Sequence, residues 1–171
     1  IPELTGAELA LEHDRDAHVQ RRRNHDGVLL RLQGQRCLII GGGGIARRKA
    51  RLLLQAGARL DVLAPEIVDD LRIDAEGSLG TCHGLAYPTA RICLTDYRLV
   101  IAATDNAAIN AQVFRDCEAV GVLVNSVDDP PHCRFIVPAI IDRSPLLVSV
   151  STNGAAPVLA RQLRTKIESL V

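Results

Sequence analysis

The stretch CLIIGGGGIA, residues 37–46, decides the fold of this 171-residue chain. Its apolar first part has the pattern of a buried strand, and the residues from Ile45 to Ala56 have the apolar spacing of a helix. Gly41, Gly43 and Ala46 fit the pattern G-x-G-x-x-G/A at the junction between the two. The stretch therefore predicts the first strand, the glycine turn and the first helix of a Rossmann-like domain.

The residues that follow repeat this pattern of strand and helix up to Asp128. Strands are predicted at Leu60–Ala64, Leu79–Tyr87, Leu99–Ala103 and Val122–Val127, and helices at Asp69–Glu76 and Asn106–Ala119. The strand from Leu79 is the poorest, because it contains Gly80 and Gly84, and we place it near an edge of the sheet. Apolar strands that alternate with helices predict an α/β fold, a doubly wound parallel sheet with right-handed crossovers.

After Asp128 the pattern changes to two apolar runs, Phe135–Ile141 and Leu146–Ser151, which are joined by the turn residues 142–145. An amphipathic helix with Pro in its first turn follows at Pro157–Leu170. These elements predict a small hairpin-plus-helix subdomain. Its apolar strands have no obvious cover in so short a chain, so we expect it to form a homodimer.

We therefore divide the chain into an N-terminal appendage at 1–28, a Rossmann-like domain at 29–133, and a dimerisation subdomain at 134–171. In the appendage, Thr5 and Glu8 have the spacing of a capping box, which allows a short helix from about Gly6. A solvated or poorly ordered leader is the better interpretation, because the apolar residues there are scattered. The chain begins at Ile1 and contains no Met, which predicts a fragment or a processed product.

Composition excludes several classes of protein. Twenty basic and twenty acidic residues give a formal net charge of zero, so no global field draws the chain to nucleic acid or to an anionic membrane. No apolar run reaches the roughly 20 residues of a membrane span, and the N-terminus is too charged for a secretory signal. The five cysteines contain no C-x-x-C pair, which argues against a disulfide framework or a zinc knuckle. We predict a cytoplasmic protein in which any anion-binding site is local.

The glycine turn has the residues that a dinucleotide needs. Gly41 permits the sharp turn, and Gly43 lets the backbone approach a pyrophosphate. The N–H groups at the start of the helix, around Gly44 and Ile45, then bind the phosphates. Without its flanking strand and helix, four glycines in a row would indicate only a flexible turn. The basic residues 47–49 oppose the helix dipole, which a bound anion would offset, although a solvated helix face is the more frequent explanation.

Two carboxylates compete for the adenosine ribose of such a cofactor. Glu66 follows the second strand and is the better placed, which favours NAD over NADP. Asp61 is the alternative, although it lies within the strand.

A second polar segment, NSVDDPPHC, occupies residues 125–133 after the fifth strand. This is the edge at which open α/β sheets bind their ligands. Two acids followed by two prolines are also ordinary turn chemistry, and that alternative stays open. His132 and Cys133 are adjacent, and adjacent residues rarely coordinate one ion together, so we predict no metal site.

Five basic residues and a single acid, Asp142, lie between residues 134 and 166. The basic residues are Arg134, Arg143, Arg161, Arg164 and Lys166. This local surplus suits a polyanionic ligand, because arginine pairs carboxylates bidentately. Surface charge on the last helix explains the final three equally well.

Several motifs, in order from about Leu29 to Val171, resemble the N-terminal module of siroheme synthase, a precorrin-2 dehydrogenase and sirohydrochlorin ferrochelatase. The motifs are CLIIGGGG at 37–44, ARRKARLLL at 46–54, AATD at 102–105, NSVDDP at 125–130, FIVPAIIDRSP at 135–145 and GAAPVLAR at 154–161. The run IIDRSP at 140–145 is quite specific. In the family, a further helical segment follows the point that matches Val171.

The resemblance implies that NAD⁺ takes a hydride from precorrin-2 to give sirohydrochlorin, and that ferrous iron, as a substrate, is then inserted to give siroheme. Asp128 matches the aspartate that closes the family's Asn-x-Val-Asp motif, which is implicated in both steps. A carboxylate there is the first candidate to remove a carbon-bound proton during dehydrogenation, and it can also take pyrrole protons.

The resemblance also extends both binding sites. Ile45, Pro65 and Thr104 join the glycines and Glu66 in the cofactor site. Arg134, Arg143, Ser151 and Thr152 join the substrate site, and the basic surplus suits a tetrapyrrole with eight carboxylate side chains. For Ser151 and Thr152 the alternative is that they cap the turn before the last helix.

The partners implied are precorrin-2 and sirohydrochlorin, a second copy of the chain, and a uroporphyrinogen methyltransferase domain that is fused or adjacent. A function of another class, a non-catalytic NAD-binding sensor or regulatory module, would use the same glycine turn. The basic hairpin subdomain and Asp128 favour the enzyme, because a sensor needs neither.

Overall fold

The computed structural model describes residues 27–152 and 156–170. Its sheet strands are β1 Arg36–Ile40, β2 Arg59–Leu63, β3 Cys82–His83, β4 Leu99–Ala102 and β5 Leu123–Ser126. All of them pair in parallel, in the order β3-β2-β1-β4-β5. The helices that connect them are α1 Gly44–Gln55, α2 Asp69–Gly77 and α3 Ala107–Val120. The predicted doubly wound parallel sheet is confirmed, and the helix predicted from Gly6 lies outside the described residues.

Helices cover both faces of this sheet because its strands are apolar on both sides. Residues 37–40 of β1 are at most 1% exposed. On one face Ile39 belongs to a core that includes Leu53 of α1 and Leu71 of α2. On the other face Leu38 belongs to a core that includes Val113 of α3. This double burial fixes the register of β1, whose carboxyl end delivers the glycine turn.

The third strand is much shorter than its sequence pattern predicts, although it lies at the sheet edge as expected. Leu79 has a φ of 62°, and a Cβ at Gly80 would lie 1.8 Å from the carbonyl oxygen of Leu60. The backbone at Gly80 therefore lies close against β2, and only Cys82 and His83 pair with β2 as a strand. Beyond the sheet, Tyr87, Ile92 and Leu94 pack beside the α3 core.

Residues beyond Pro138 form the predicted hairpin and helix. Strand β6 spans Ala139–Arg143, β7 spans Leu146–Val150, and the two pair antiparallel over five residues. Helix α4 spans Pro157–Glu168. Ile141 and Ala160 are buried. The predicted strand from Phe135 begins only at Ala139, because Arg134 and Phe135 hydrogen-bond instead to β5.

The described residues from 29 to 138 form one compact unit, and those from 139 belong to another. The division predicted after residue 133 remains a prediction about domain organisation. Within residues 27–152 and 156–170, no helix is both long enough and apolar enough to cross a bilayer.

Candidate functional site

The glycine turn is pressed against two neighbouring segments of backbone. Gly41 has a φ of 130°, and a Cβ there would lie 2.3 Å from the carbonyl oxygen of Ala103. A Cβ at Gly42 would lie only 1.8 Å from the carbonyl oxygen of Glu66. Both positions therefore require glycine. Gly42 was not singled out by the sequence, since the motif admits any residue there; the close approach is visible only in the fold.

The opposite side of the turn is open. A Cβ at Gly43 or Gly44 would meet no described atom within 4 Å, and both residues are exposed. Gly43 caps α1 with extended backbone, and the first turn of α1 has neither a side-chain cap nor an acid. Ala46 is fully buried, which keeps helix and strand close. An uncapped helix N-terminus beside open space fits a pyrophosphate.

The basic residues 47–49 of α1 have three different environments. Arg47 pairs with Asp70 at 2.7 Å and thereby ties α1 to α2, so a bound anion is not needed to explain its charge. Arg48 is exposed. Lys49 is half-buried, and this burial, with the nearby charge of Arg48, lowers its pKa, while the charge of Asp128 opposes the shift. The side chain of Lys49 is thus within electrostatic reach of Asp128.

Pro65 and Glu66, which the sequence places at the ribose, are exposed beyond the carboxyl end of β2. Their segment is held against the glycine turn, because Val68 N donates to the Gly42 carbonyl at 3.0 Å and Gly41 N donates to the Leu63 carbonyl at 2.9 Å. The structure therefore brings Glu66 to the turn.

Asp61, the alternative carboxylate, is 4% exposed and fully engaged within the protein. It accepts hydrogen bonds from Arg36 at 2.7 Å, from the Tyr97 hydroxyl at 2.9 Å and from Thr81 N at 2.8 Å. Burial acts to raise the pKa of Asp61, but these hydrogen bonds outweigh it, and the pKa is lowered. Asp61 is a structural carboxylate, which leaves Glu66 as the candidate for the ribose.

Thr104 lies just beyond the end of β4 and is held by Asn110, a buried residue of α3. The Thr104 hydroxyl donates to Asn110 Oδ1 at 2.7 Å, and Asn110 Nδ2 donates to the Thr104 carbonyl at 3.0 Å. Asn106, whose side chain accepts from Ala108 N and Ile109 N, is the N-cap of α3. Sequence reasoning did not identify Asn110, because a polar residue inside an amphipathic helix carries no local signal.

Asp128 and Asp129 follow β5 but have different surroundings. Asp129 Oδ2 is 2.7 Å from His132 Nδ1, and the ring of His132 stands edge-on to Phe114 of α3. Asp128 is exposed, with a φ of 59°. The pairing with His132 makes Asp129 part of the turn. Asp128 instead lies at the carboxyl end of the sheet, where the glycine turn also lies. Among the described residues, no group of three or more His, Cys, Asp or Glu side chains could hold a metal ion.

Two of the predicted substrate residues, Arg134 and Arg143, pair with acidic side chains of helices. Arg134 forms a bidentate pair with Glu118 and lies over Phe114 at 5.4 Å. Arg143 approaches Glu168 at 3.4 Å, and Arg164 pairs with the same carboxylate at 3.1 Å. Glu168 lies just beyond residues 134–166, the range in which the basic and acidic residues were counted. The surplus of positive charge in this region is therefore smaller than that count indicates.

Ser151 and Thr152 follow β7. Ser151 is exposed. Thr152 Oγ1 accepts a hydrogen bond from Ala156 N at 3.1 Å, which is the capping alternative noted for this turn. The roles of both residues toward a substrate remain predictions.

Two family models match the chain. The model described as putative NAD(P)-binding matches residues 28–139, and the model described as sirohaem biosynthesis protein central matches residues 143–170.

Curated relatives are similar over most of this chain but are much longer. The siroheme synthase of Acinetobacter baylyi is 59% identical over 144 residues, which are 84% of this chain and 31% of that protein. The siroheme synthase of Chromobacterium violaceum is 52% identical over 145 residues, which are 84% of this chain and 30% of that protein. The chain thus spans about a third of the length of these relatives.

Among solved structures, the chain is similar to SirC, a precorrin-2 dehydrogenase. The TM-score is 0.68 and the identity 26%, over 86% of this chain and 71% of that one.

Proposed function

The chain belongs to the NAD(P)-binding module family of siroheme synthases, and from this premise we propose that it catalyses the NAD-dependent oxidation of precorrin-2 to sirohydrochlorin. One observation carries the proposal: the glycine turn and the Asp128 turn lie at the same carboxyl edge of one parallel sheet. Because β1 and β5 both pair with β4, a cofactor on the first turn would lie near the second.

The cofactor side of this proposal uses mostly backbone. The open flank of Gly43 and Gly44 and the uncapped start of α1, with Ile45, would hold the pyrophosphate. Pro65 and Glu66 would bind the ribose, with Glu66 favouring NAD. Thr104 would border the cofactor from the end of β4. When bound, NAD⁺ supplies a hydride acceptor.

Asp128 supplies the base. Oxidation of precorrin-2 removes a hydride and a proton, and the Asp128 carboxylate takes the carbon-bound proton. Arg134, Arg143, Ser151 and Thr152 would bind the carboxylates of the tetrapyrrole, with Arg134 and Arg143 exchanging their present acidic partners for it.

The same carboxylate would serve a second reaction. We propose that ferrous iron enters as a substrate after oxidation and that Asp128 removes pyrrole protons as iron is inserted, which gives siroheme. The greater length of the relatives supports a further proposal, that a uroporphyrinogen methyltransferase domain works beside this module. A cytoplasmic location remains a prediction from the sequence.

We also propose a homodimer formed through the hairpin unit, because much of its apolar surface is exposed. The exposed side chains are Ile140, Leu146, Leu147, Val158, Leu159 and Leu163. A patch of this kind is typical of a protein interface. Sedimentation at micromolar concentration should give twice the mass of the chain, and a monomer would contradict the proposal.

The experiment that tests the enzymatic function is anaerobic incubation of the protein with precorrin-2 and NAD⁺. NADH and sirohydrochlorin should appear in equal amounts, and adding ferrous iron should then change the visible spectrum to that of siroheme. Reactions without NAD⁺ or without protein are the controls. If calorimetry shows NAD⁺ binding but no NADH forms, the dehydrogenase proposal is wrong and a sensor remains. The similarity to SirC does not favour that alternative.

A further inference from the structure

The turn that carries Asp128 is closed by the chain folding back onto β5. Asn125 and Cys133 form an isolated antiparallel bridge, and Arg134 N donates to the Val124 carbonyl at 2.8 Å. Within the turn, Asp129 N donates to the Ser126 carbonyl at 3.3 Å. The segment is therefore a loop of defined shape between two paired stretches of backbone.

The side chain of Asn125 fastens the returning stretch. Asn125 is 6% exposed, and its Nδ2 donates to the Phe135 carbonyl at 2.8 Å and to Cys133 Sγ at 3.3 Å. These contacts join the strand that enters the turn to the segment that leaves it. A buried amide with two such contacts is costly to replace, because the Phe135 carbonyl then loses this hydrogen bond.

The side chain of Cys133 contacts the backbone of the turn at two points. Its Sγ lies 3.1 Å from the Ser126 carbonyl oxygen and 3.3 Å from the Asp129 carbonyl oxygen, on either side of Asp128. Burial raises the pKa of the Cys133 thiol, so the thiol keeps its proton and acts as a donor to these carbonyls.

Asp128 needs such support because its φ of 59° lies in the left-handed region. A residue with a Cβ occupies this region at a cost, and the conformation persists only where the surrounding structure holds it. The contacts of Asn125 and Cys133 supply that hold from both ends of the turn.

We propose that Asn125 and Cys133 are positioning residues, which act on the reaction through Asp128 by keeping its carboxylate at the sheet edge. This inference rests on the proposed role of Asp128 as the base. It predicts that the two residues affect turnover and leave the glycine turn, which is built from other segments, unchanged.

A double-mutant cycle tests the inference on the intact protein. Asn125→Ala should lower kcat for precorrin-2 oxidation roughly 10- to 100-fold with little change in the KM for NAD⁺, because small displacements of a reacting group cost this much. In an Asp128→Asn background the same substitution should lower kcat by less than about threefold, because the group it positions is already inactive. An equal loss in both backgrounds would overturn the inference.

Asn110→Ala is the matched control, since Asn110 is also 6% exposed and also holds a loop at the carboxyl edge. Its effect should fall on the KM for NAD⁺ and should persist in the Asp128→Asn background. Cys133→Ala, a milder change, keeps the test available if Asn125→Ala does not fold. It should lower kcat severalfold, and Cys133→Ser, which retains a donor, should recover most of the loss. No change in kcat with Cys133→Ala would count against the thiol.

A readout without substrate separates this inference from the proposed function. In NMR spectra, Asn125→Ala should shift the Asp128 amide and carboxyl resonances, whereas Asn110→Ala should leave them in place. If the wild-type protein forms no NADH, the proposed function fails while these shifts still report on the turn. If the Asp128 resonances do not move with Asn125→Ala, the positioning inference is wrong whatever the activity.

Discussion

The glycine turn and the Asp128 turn lie at the same edge of one sheet and are built on opposite principles. The glycine turn owes its shape to missing side chains, because backbone from Ala103 and Glu66 occupies the space where Cβ atoms at Gly41 and Gly42 would be. The Asp128 turn owes its shape to side chains, above all Asn125 and Cys133. The comparison shows why one region suits a common cofactor and the other a particular reaction: backbone binds phosphate generally, whereas a base needs an individual side chain in one place.

The largest expected effect is a loss of activity when the Asp128 turn loses its carboxylate. An unchanged rate would contradict the contrast between the two turns. Asp128→Asn keeps the size of the side chain but removes the basicity, so precorrin-2 oxidation should fall about 10²- to 10⁴-fold. Calorimetric affinity for NAD⁺ and the melting temperature should hardly change. Steady-state assays of NADH formation measure the first effect.

Asp129→Asn is the control for that substitution. Asp129 pairs with His132, so its loss should loosen the turn and lower the rate less than Asp128→Asn does. Equal losses for the two variants would show that the base has been assigned to the wrong carboxylate.

Substitutions at two neighbouring glycines of the glycine turn should have different effects on stability. Gly42→Ala places a Cβ 1.8 Å from a backbone oxygen, so the turn must shift. We expect a loss of about 3 kcal/mol in the free energy of unfolding, which corresponds to roughly 6–12 °C in melting temperature. NAD⁺ affinity should fall as well.

Gly43→Ala should behave differently, because its Cβ meets no described atom within 4 Å. Thermal melts should show near-normal stability, while calorimetry should show weaker binding of NAD⁺ because the methyl group would stand between the backbone and the pyrophosphate. If both variants lose stability equally, the open flank is not the cofactor side.

Beside the glycine turn, the preference between NAD⁺ and NADP⁺ should depend on one side chain, that of Glu66. Its carboxylate should repel a 2′-phosphate, so the protein should bind NAD⁺ more tightly than NADP⁺. Glu66→Gln should raise NADP⁺ affinity by about tenfold, as expected for removing one like charge near the surface. Titration of both cofactors measures the ratio, and a preference of the wild-type protein for NADP⁺ would contradict the assignment.

The smallest expected effect is on the pH dependence of stability, and it concerns Asp61, a carboxylate that belongs to neither turn. Its pKa is lowered in the folded protein, so its contribution to stability is present above the unfolded pKa and is lost as pH falls through the lower folded pKa. We expect about 1 kcal/mol of unfolding free energy to disappear between about pH 5 and pH 2. Denaturant melts of wild type and Asp61→Asn should differ in this acid slope, and parallel curves would show that Asp61 does not carry it.

Much of the architecture could be predicted because its signals are local. The apolar runs, the glycines between strand and helix, and Pro157 at the start of α4 all act over a few residues. The residues predicted for the cofactor and for the base follow the carboxyl ends of parallel strands, which the fold brings to one end of the sheet. Local signals failed for the strand predicted at Leu79–Tyr87. Only Cys82 and His83 form a strand there, next to the close approach of Gly80 to β2.

The sequence alone thus determined that this chain alternates strand and helix, turns on glycine between its first strand and first helix, and places an acid after its fifth strand. Only the tertiary structure decided which carboxylates are available. It buried Asp61 against Arg36 and Tyr97 and paired Asp129 with His132. It also decided which residues hold the Asp128 turn, because those contacts depend on where the backbone has already been placed. Glycine requirements and hydrophobic periodicity are properties of a short segment, whereas hydrogen-bond partners of buried polar groups are chosen by the completed fold.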